Sequence, residues 1–576
     1  MNRFAAITLA LVISSLFIAA GCDAGASRTA DPADAADLVL VNGKIVTVDD
    51  MDTEVQAIAV KGGKIVALGT DEEIRKLTGS ETEVIDLEGR LAIPGFNEGH
   101  GHFMGIGNSK MILDLTTPKN FDEIVAMVAE AAKKAEPGEW ITGRGWHQDK
   151  WDKKPEPNVE GLPVHNKLSE VSPDNPVVLT HASGHGSFVN AKAMELAKID
   201  STTKDPPGGE ILRDASGKPT GFLRETAQGL VSRMNTGPPT EEARMEQELK
   251  KAELASQEVL SKGVTTFHDA GSSFKTVDLF KKLADEGKLP VRLWVMIRAS
   301  NEDLEKNLAS YKTVGYGGDH LTVRAIKLSI DGALGSRGAW LLEPYSDAPN
   351  LSGLNLIPIE SAKKTAELAM ANGYQLCIHA IGDRANREVL DIFEEAFKGN
   401  GDKNDLRWRV EHAQHLNPAD IPRFGELGVI ASMQGVHCTS DAPWVPDRLG
   451  DKRSEEGAYV WQKLMKSGAL VTNGTDAPVE DVSPIASYYA TVSRKLNDGS
   501  VFYPDQRMSR LEALRSYTIN VAKSGFEEKI KGSLEVGKLG DIVVLSKDIL
   551  TVPEDEIPST EVLYTIVGGK VAYRGK

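Results

Sequence analysis

Short apolar runs alternate with amphipathic, helix-like stretches through most of the chain. Eight runs are candidate strands: residues 91–97, 263–269, 290–297, 321–330, 374–379, 407–412, 428–434 and 469–476. Strands that alternate with helices predict βα units and a parallel sheet, and eight such units predict a (β/α)8 TIM barrel. The expected fold class is therefore α/β.

Both ends of the chain are rich in short β-type runs instead of helices. Asn42-Gly43 and Gly62-Gly63 are hairpin-turn signals between such runs near the amino terminus, and residues 541–545 and 562–567 are two more runs near the carboxyl terminus. This pattern predicts one small β-sandwich formed by both termini. Its expected bounds are 37–93 and 533–576, with the barrel over 94–532.

A long segment separates the first two candidate strands. Residues 104–262 far exceed an ordinary βα connection, so they predict an inserted subdomain that caps the catalytic face. The segment ends in a predicted helix over 240–262, which begins at Thr240 and is followed by Gly263.

The amino terminus has the pattern of an export signal. An apolar run follows Arg3 and ends at Gly21-Cys22, which is too short for a transmembrane span. We expect a lipoprotein signal peptide over 1–21, lipidation of Cys22 and a flexible tether over 22–36. The protein would then be exported and lipid-anchored to a bacterial membrane, at its periplasmic or extracellular face. An ordinary secretory signal is the alternative.

Composition excludes some partners without naming a substrate. The chain has a net charge of −17 and lacks basic runs, which argues against nucleic-acid binding. Of its three cysteines, Cys377 falls in a predicted strand and Cys438 in a loop. We expect both to be free, and their spacing fits no cysteine zinc site.

Candidate metal ligands end several of the predicted strands. In a strand, residues separated by one position share a face, so His100 and His102 of the Gly-His-Gly-His segment can aim at one point. His379, His412 and Asp476 each end another run. The catalytic face of a TIM barrel lies at the carboxyl ends of its strands, so these five side chains should converge. Imidazole and carboxylate groups commonly bind divalent metals.

Longer motifs make the chain similar to the amidohydrolase superfamily of metal-dependent hydrolases, within its N-substituted formamide deformylase-like branch. The motifs are PGFNEGHGH (94–102), KLSIDGALGSRGAW (327–340), IHAIGDRA (378–385), RVEHAQ (409–414), NGTDAPV (473–479) and GSLEVGKLGDIVVL (532–545). Two positions depart from the usual pattern. Glu98 stands where the superfamily usually has Asp, and Gly435 follows Gln434 where this branch often has Pro.

The resemblance implies a centre of two divalent ions, with zinc expected and another divalent metal as the alternative. In this centre His100, His102 and Asp476 would hold the first ion, His379 and His412 would hold the second, and Lys327 would bridge them after carboxylation. An unmodified Lys327 that forms an ion pair with Asp331 is the alternative. Asp476 would also take the proton of the attacking water and deliver it to the leaving nitrogen. The implied activity is hydrolysis of the C–N bond of an amide, an N-formyl amine or a cyclic amide by a metal-activated hydroxide.

Other functions and residues stay open from the sequence. An esterase or carbamate hydrolase, a deaminase or isomerase, and a non-catalytic membrane-anchored binding protein are the alternatives, although the intact ligand set argues against the last. The substrate is expected to be a small molecule, and the sequence does not give the oligomeric state. The weaker candidates for substrate contact are His185, Trp146, Gln434, His437 and Trp444. We favour a core role for His268 and Asp269, and we interpret the remaining histidines, among them His147 and His181, as structural.

Overall fold

A computed structural model describes residues 35–235, 237, 240–398 and 405–575 of the chain. The predicted signal peptide, Cys22 and nearly all of the predicted tether lie outside the described residues. Within those ranges, no helix combines the length and the apolar character that crossing a membrane requires.

Eight parallel strands form a barrel, which confirms the predicted TIM-barrel class. They are β1 (Phe96–Gly101), β2 (Val264–Ser272), β3 (Arg292–Ile297), β4 (Leu321–Ser329), β5 (Gln375–Ala380), β6 (Arg409–His412), β7 (Ile430–Ser432) and β8 (Val471–Thr472). Each pairs in parallel with the next along the chain. Backbone bonds from Gly99 to Asn473 (3.0 Å) and from Asp476 to His100 (2.8 Å) close the ring between β1 and the segment after β8.

The first barrel strand begins later than predicted. Leu91–Pro94 belongs to a terminal sheet, where it pairs with Ile542–Leu545, and only Phe96–Gly101 enters the barrel. Gly95 separates the two strands and packs so tightly on Thr265 that a Cβ atom there would lie 2.3 Å from its side chain. His100 is therefore part of β1 itself.

Amphipathic helices cover the outside of the barrel. In Asp383–Lys398, the buried residues Ala385, Val389, Ile392 and Phe393 recur at helical spacing and form one apolar face. The other helices of this shell and of the loops above it are Phe103–Ser109, Glu241–Ser261, Phe274–Asp285, Asn301–Tyr311, Tyr316–Asp319, Ile359–Asn372, Ile421–Leu427, Gly435–Asp441, Val445–Leu449, Asp451–Gly457, Trp461–Lys466, Pro484–Ser493, Arg510–Ser516 and Ile519–Ser524.

The chain segment that connects β1 to β2, which is the predicted insertion, forms a sheet of its own. Its strands are Leu113–Asp114, Ile141–Trp146, Val177–His181, Gly186–Val189, Gly209–Arg213 and Pro219–Glu225, with helices Phe121–Ala132, Asn166–Val171 and Ala191–Ala197 beside them. We call this unit the cap. The predicted helix near its end is present as Glu241–Ser261, capped by the Thr240 side chain, and it packs on the barrel helix Phe103–Ser109.

The termini build two further sheets of short strands, and the second of these sheets combines strands from both ends of the chain, as predicted. One contains Leu38–Val41, Ala57–Lys61, Lys64–Gly69 and Glu83–Asp86; the other contains Lys44–Val46, Glu54–Val55, Leu91–Pro94, Ile542–Leu545, Val562–Val567 and Lys570–Arg574. A buried ion pair joins this region to the barrel, because Arg292 of β3 donates to both oxygens of Asp541 at 2.7 and 2.9 Å. Cys377 and Cys438 are buried and free, as expected.

Candidate metal centre and substrate pocket

Asp476 meets the His100–His102 pair at the mouth of the barrel. Its Oδ1 lies 3.1 Å from Nε2 of His102 and 3.4 Å from Nε2 of His100. The backbone of Asp476 has a φ of 58°, which turns its side chain from the end of β8 towards β1. The polypeptide therefore brings one carboxylate and two imidazoles together from opposite ends of the barrel sequence.

Two more histidines complete the group. The His412 ring lies 4.6 Å from the ring of His100 and 4.4 Å from that of His379, measured between ring centroids. One ligand atom from each of His100, His412 and Asp476 falls within 4.8 Å of the others. Five residues predicted from distant parts of the sequence thus lie side by side, and three of them are close enough to share one ion.

The charge states of these groups suit a cation. Burial lowers the pKa of His102 to about 4 and holds the pKa values of His379 and His412 well below the usual range, so the imidazoles are neutral and keep a lone pair. Burial alone would raise the pKa of Asp476, but the adjacent His100 and His102 outweigh it and leave the pKa well below its usual range. The candidate site therefore combines neutral imidazoles with an anionic carboxylate.

Several of these donor atoms lack a partner. Nε2 of His100, Nε2 of His379 and Oδ1 of Asp476 are buried and make no hydrogen bond within the described part of the chain. Unpaired buried polar atoms are costly and rare in folded proteins. A mixed nitrogen and oxygen donor set of this kind fits divalent ions such as zinc, which would satisfy these unpaired atoms.

Lys327 lies on β4, buried below the ligand group. Burial, with a further contribution from the Arg298 charge, lowers its pKa to about 8, while Glu411 and Asp476 oppose the shift. Asp331, considered as an ion-pair partner for this lysine, instead accepts backbone hydrogen bonds from Trp340, Ile381 and Gly382 at 2.8–3.0 Å.

The sequence profile of the amidohydrolase family matches residues 83–573. The chain belongs to the amidohydrolase family. This membership makes the protein an enzyme that hydrolyses carbon–nitrogen bonds, and it confirms the resemblance that the sequence motifs indicated.

Relatives of similar length match this chain over nearly all of it. The protein LONG AFTER FAR-RED 3 of Arabidopsis thaliana is 34% identical over 93% of this chain and 92% of its own. The N-substituted formamide deformylase of Arthrobacter pascens is 28% identical over 93% of this chain and 98% of its own. Among solved structures, an uncharacterized metal-dependent hydrolase from Pyrococcus horikoshii is similar with a TM-score of 0.72, at 28% identity, over 90% of this chain and 99% of its own.

A pocket of about 50 Å³ lies above the ligand group, between the barrel loops and the cap. His185, His437 and Trp444 are among its lining residues, where the sequence analysis had expected them. His147 also lines it, with its ring tilted against that of Trp444 at 4.6 Å between centroids, although the sequence favoured a structural role for this histidine.

Two of the expected pocket residues lie elsewhere. Trp146 is buried in the apolar core of the cap, where its indole donates to the Leu179 carbonyl at 2.9 Å. Gln434 is buried beside a ligand, and its Oε1 lies 2.8 Å from Nδ1 of His412. Gln434 therefore fixes the orientation of a candidate ligand instead of lining the pocket.

A buried charged network next to the site was not predicted from the sequence. Glu411 hydrogen-bonds Nδ1 of His100, and Arg409 pairs with Glu411 at 2.7 Å. Arg409 also donates to the Gly99 carbonyl at 2.7 Å and contacts Nδ1 of His268 at 3.0 Å. Both missed residues precede His412 in the RVEHAQ motif, so the signal was a pair of opposite charges inside a buried strand.

Glu98, the residue that departs from the family pattern, ties β1 to the segment carrying Asp476. Its Oε1 accepts from the Thr475 amide at 2.6 Å, and burial raises its pKa to about 8. Asp269 plays a comparable part on β2, where it accepts from the Phe103 amide at 2.9 Å. These two buried carboxyl groups hold the backbone at Thr475, next to Asp476, and at Phe103, next to His102.

The cap contributes His185 directly to the site. Its ring lies 5.0 Å from the His379 ring, and its Nδ1 pairs with Glu225 at 2.7 Å. Burial lowers the pKa of His185, but Glu225 outweighs this effect and leaves the pKa raised. The Glu225 side chain packs closely on Gly332. A Cβ atom on that glycine would lie 2.0 Å from Oε1 of Glu225.

Proposed function

We propose that the protein is a zinc-dependent hydrolase that cleaves the C–N bond of an amide, an N-formyl amine or a cyclic amide. The convergence of His100, His412 and Asp476 carries this proposal, because their buried donor atoms lie within 4.8 Å of one another. The family membership supplies the reaction class. The name of the Arthrobacter pascens relative, an N-substituted formamide deformylase, supports an N-formyl amine as the substrate.

Six residues would hold two ions. The first ion would take His100, His102 and Asp476, the second His379 and His412, and Lys327 would bridge them after carboxylation. A bound divalent ion lowers the pKa of a coordinated water to about 7 and polarises a carbonyl group.

The protein's own groups would carry the proton. Asp476 is an anion at neutral pH and lies at the centre of the ligand group, so it is suited to accept a proton from the attacking water. The same carboxyl group would then return the proton to the leaving nitrogen. His185 faces the pocket from the cap and would contact the substrate during this transfer.

Metal analysis combined with a substrate screen tests the proposal. The purified protein should hold close to two divalent ions per chain and should hydrolyse N-formyl or N-acyl amines, with loss of activity on chelation and recovery with zinc. An ester panel and an aminopurine panel separate the esterase and deaminase alternatives. Absence of bound metal, together with no activity after zinc addition, would contradict the hydrolase assignment.

We also propose that Cys22 anchors the protein to a membrane. Small residues before this cysteine and the apolar run preceding them support lipidation of its thiol and amine after cleavage. Wild-type protein should fractionate with membranes and carry acyl chains detectable by mass spectrometry. Cys22→Ser should remove both, whereas soluble, unlipidated wild-type protein after export would contradict the anchor.

A further inference from the structure

A second cavity of about 420 Å³ adjoins the catalytic pocket at the seam between cap and barrel. The two cavities share four lining residues, Lys150, Ala182, Val479 and Glu480. The catalytic pocket measures only about 50 Å³. The part of a substrate beyond the reacting bond therefore has room in the second cavity.

The lysines in the wall of the second cavity have acidic partners. Lys110 pairs with Glu258 at 3.0 Å, and Lys150 pairs with Glu480 at 3.7 Å. These two cations are already compensated by the protein. They do not call for an anion in the cavity.

Arg144 in the same wall differs from these lysines. Its guanidinium donates to two backbone carbonyls, those of Ala182 (2.9 Å) and Pro478 (3.3 Å). Among the described residues, no carboxylate lies within ion-pair distance of it, and its Nη1 makes no hydrogen bond. An arginine has five N–H donors and stays charged at every physiological pH, so part of this donor set is left for a ligand.

The position of Arg144 ties it to the reaction. It belongs to the cap strand Ile141–Trp146, while Pro478 follows the proposed base Asp476 by two residues. Burial lowers the pKa of Arg144, and the negative charge of Asp476 partly offsets this. A group bound at this guanidinium would therefore lie close to the bond that Asp476 serves.

We propose that Arg144 binds a carboxylate on the substrate, so that the preferred substrates are N-formyl or N-acyl derivatives of amino acids instead of neutral amides. Arginine matches a carboxylate with two parallel hydrogen bonds, which would satisfy the free donors. This inference rests on the proposed amide hydrolysis. It adds that the substrate carries a negative charge and that Arg144 selects it.

Matched pairs of compounds test the inference. The carboxylated probes are the N-formyl derivatives of glycine, β-alanine, 4-aminobutyrate and 5-aminopentanoate, and the neutral probes are N-formyl alkylamines with the same carbon chain. With zinc-loaded wild type, the best carboxylated probe should exceed its neutral match by about 10- to 100-fold in kcat/KM, as expected for a charge-assisted bond. Equal values for the two series would overturn the proposal.

Variants identify the residue responsible. Arg144→Gln should bring the ratio of kcat/KM for carboxylated over neutral probes near one. Arg144→Lys, which keeps the charge but not the paired donors, should retain part of the preference. Lys110→Gln is the control in the same wall and should keep the wild-type ratio, because that cation is paired with Glu258. An unchanged ratio in folded Arg144→Gln would contradict the assignment.

Calorimetry separates this inference from the proposed function. If no probe is hydrolysed, amide hydrolysis fails, yet binding of the same probes to zinc-loaded protein still decides the role of Arg144. Binding of carboxylated probes that weakens at least 10-fold in Arg144→Gln supports it. Binding that is absent, or that ignores the carboxylate, refutes it.

Discussion

Glu411 holds Nδ1 of His100, and this contact turns Nε2 of the same ring towards Asp476, 3.4 Å away. A carboxylate that accepts the second N–H of a metal-binding histidine fixes its tautomer and orientation. Arg409 in turn holds Glu411 at 2.7 Å. The proposed metal centre therefore depends on a residue that would not touch the metal.

Glu411→Gln should lower metal affinity by about 10- to 100-fold, in line with the loss of such a partner elsewhere. The glutamine keeps the shape and one hydrogen bond but removes the charge that pairs with Arg409. Zinc titration with a competing chelator measures the affinity, and added zinc should restore much of the lost turnover. Ser432→Ala, which removes only a 2.7 Å bond to Arg409, is the milder comparison. Full zinc affinity in folded Glu411→Gln would show that His100 needs no such partner.

Lys327→Ala should abolish most activity, and short carboxylic acids should restore part of it. A carbamate forms from the neutral amine, and burial lowers the pKa of Lys327 to about 8, so more of the amine is neutral near neutral pH than in an ordinary lysine. Protein prepared in 13C-labelled bicarbonate should show one carbamate signal by NMR, absent from Lys327→Ala. A wild-type protein without this signal but with two bound metals would rule out the bridge.

The clustering of the candidate ligands was predictable because it depends only on strand ends. Each of His100, His379, His412 and Asp476 lies at or just after the end of a strand, and barrel topology collects strand ends on one face. The partners of these ligands were not predictable in the same way. Alternation along a strand would put Glu411 and His412 on opposite sides, but His412 has a φ of 76°, which redirects its side chain.

The pocket residues show the same limit of prediction from sequence. Trp146 and His147 are adjacent, and the sequence favoured the tryptophan as the substrate contact. In the structure the tryptophan enters the cap core and the histidine enters the pocket. A shift of one position exchanges the two faces of a strand, and nothing in the segment's composition tells which face the barrel will cover.

Asp541→Asn should destabilise the protein at neutral pH by about 3 kcal/mol, because it leaves Arg292 buried without its counter-charge. Burial would raise the pKa of Asp541, but Arg292 outweighs it and leaves the pKa below the usual range. The carboxylate therefore stabilises the fold above the unfolded pKa, about 3.9, and this stabilisation is lost as pH falls through the lower folded pKa.

Denaturant midpoints of wild type and Asp541→Asn at several pH values measure this effect. The difference in stability between wild type and Asp541→Asn should be largest at pH 7 and should become smaller below about pH 4. Glu302→Gln is the control, because its pair with Lys306 is exposed and should contribute little. A gap that is independent of pH would assign the loss to packing and not to charge.

Asp476→Asn should separate proton transfer from ligation. Asparagine keeps the shape and one oxygen donor, so metal content should fall only in part, but an amide cannot take a proton from water. The rate should therefore fall by roughly 10²-fold or more. The fold should persist, because asparagine tolerates the left-handed backbone that this position requires, with φ 58°. Melting temperature, zinc content and kcat on one preparation test all three statements. Full zinc with near-normal turnover would move the base elsewhere, and His185 would be the first candidate, since it faces the same pocket from the cap.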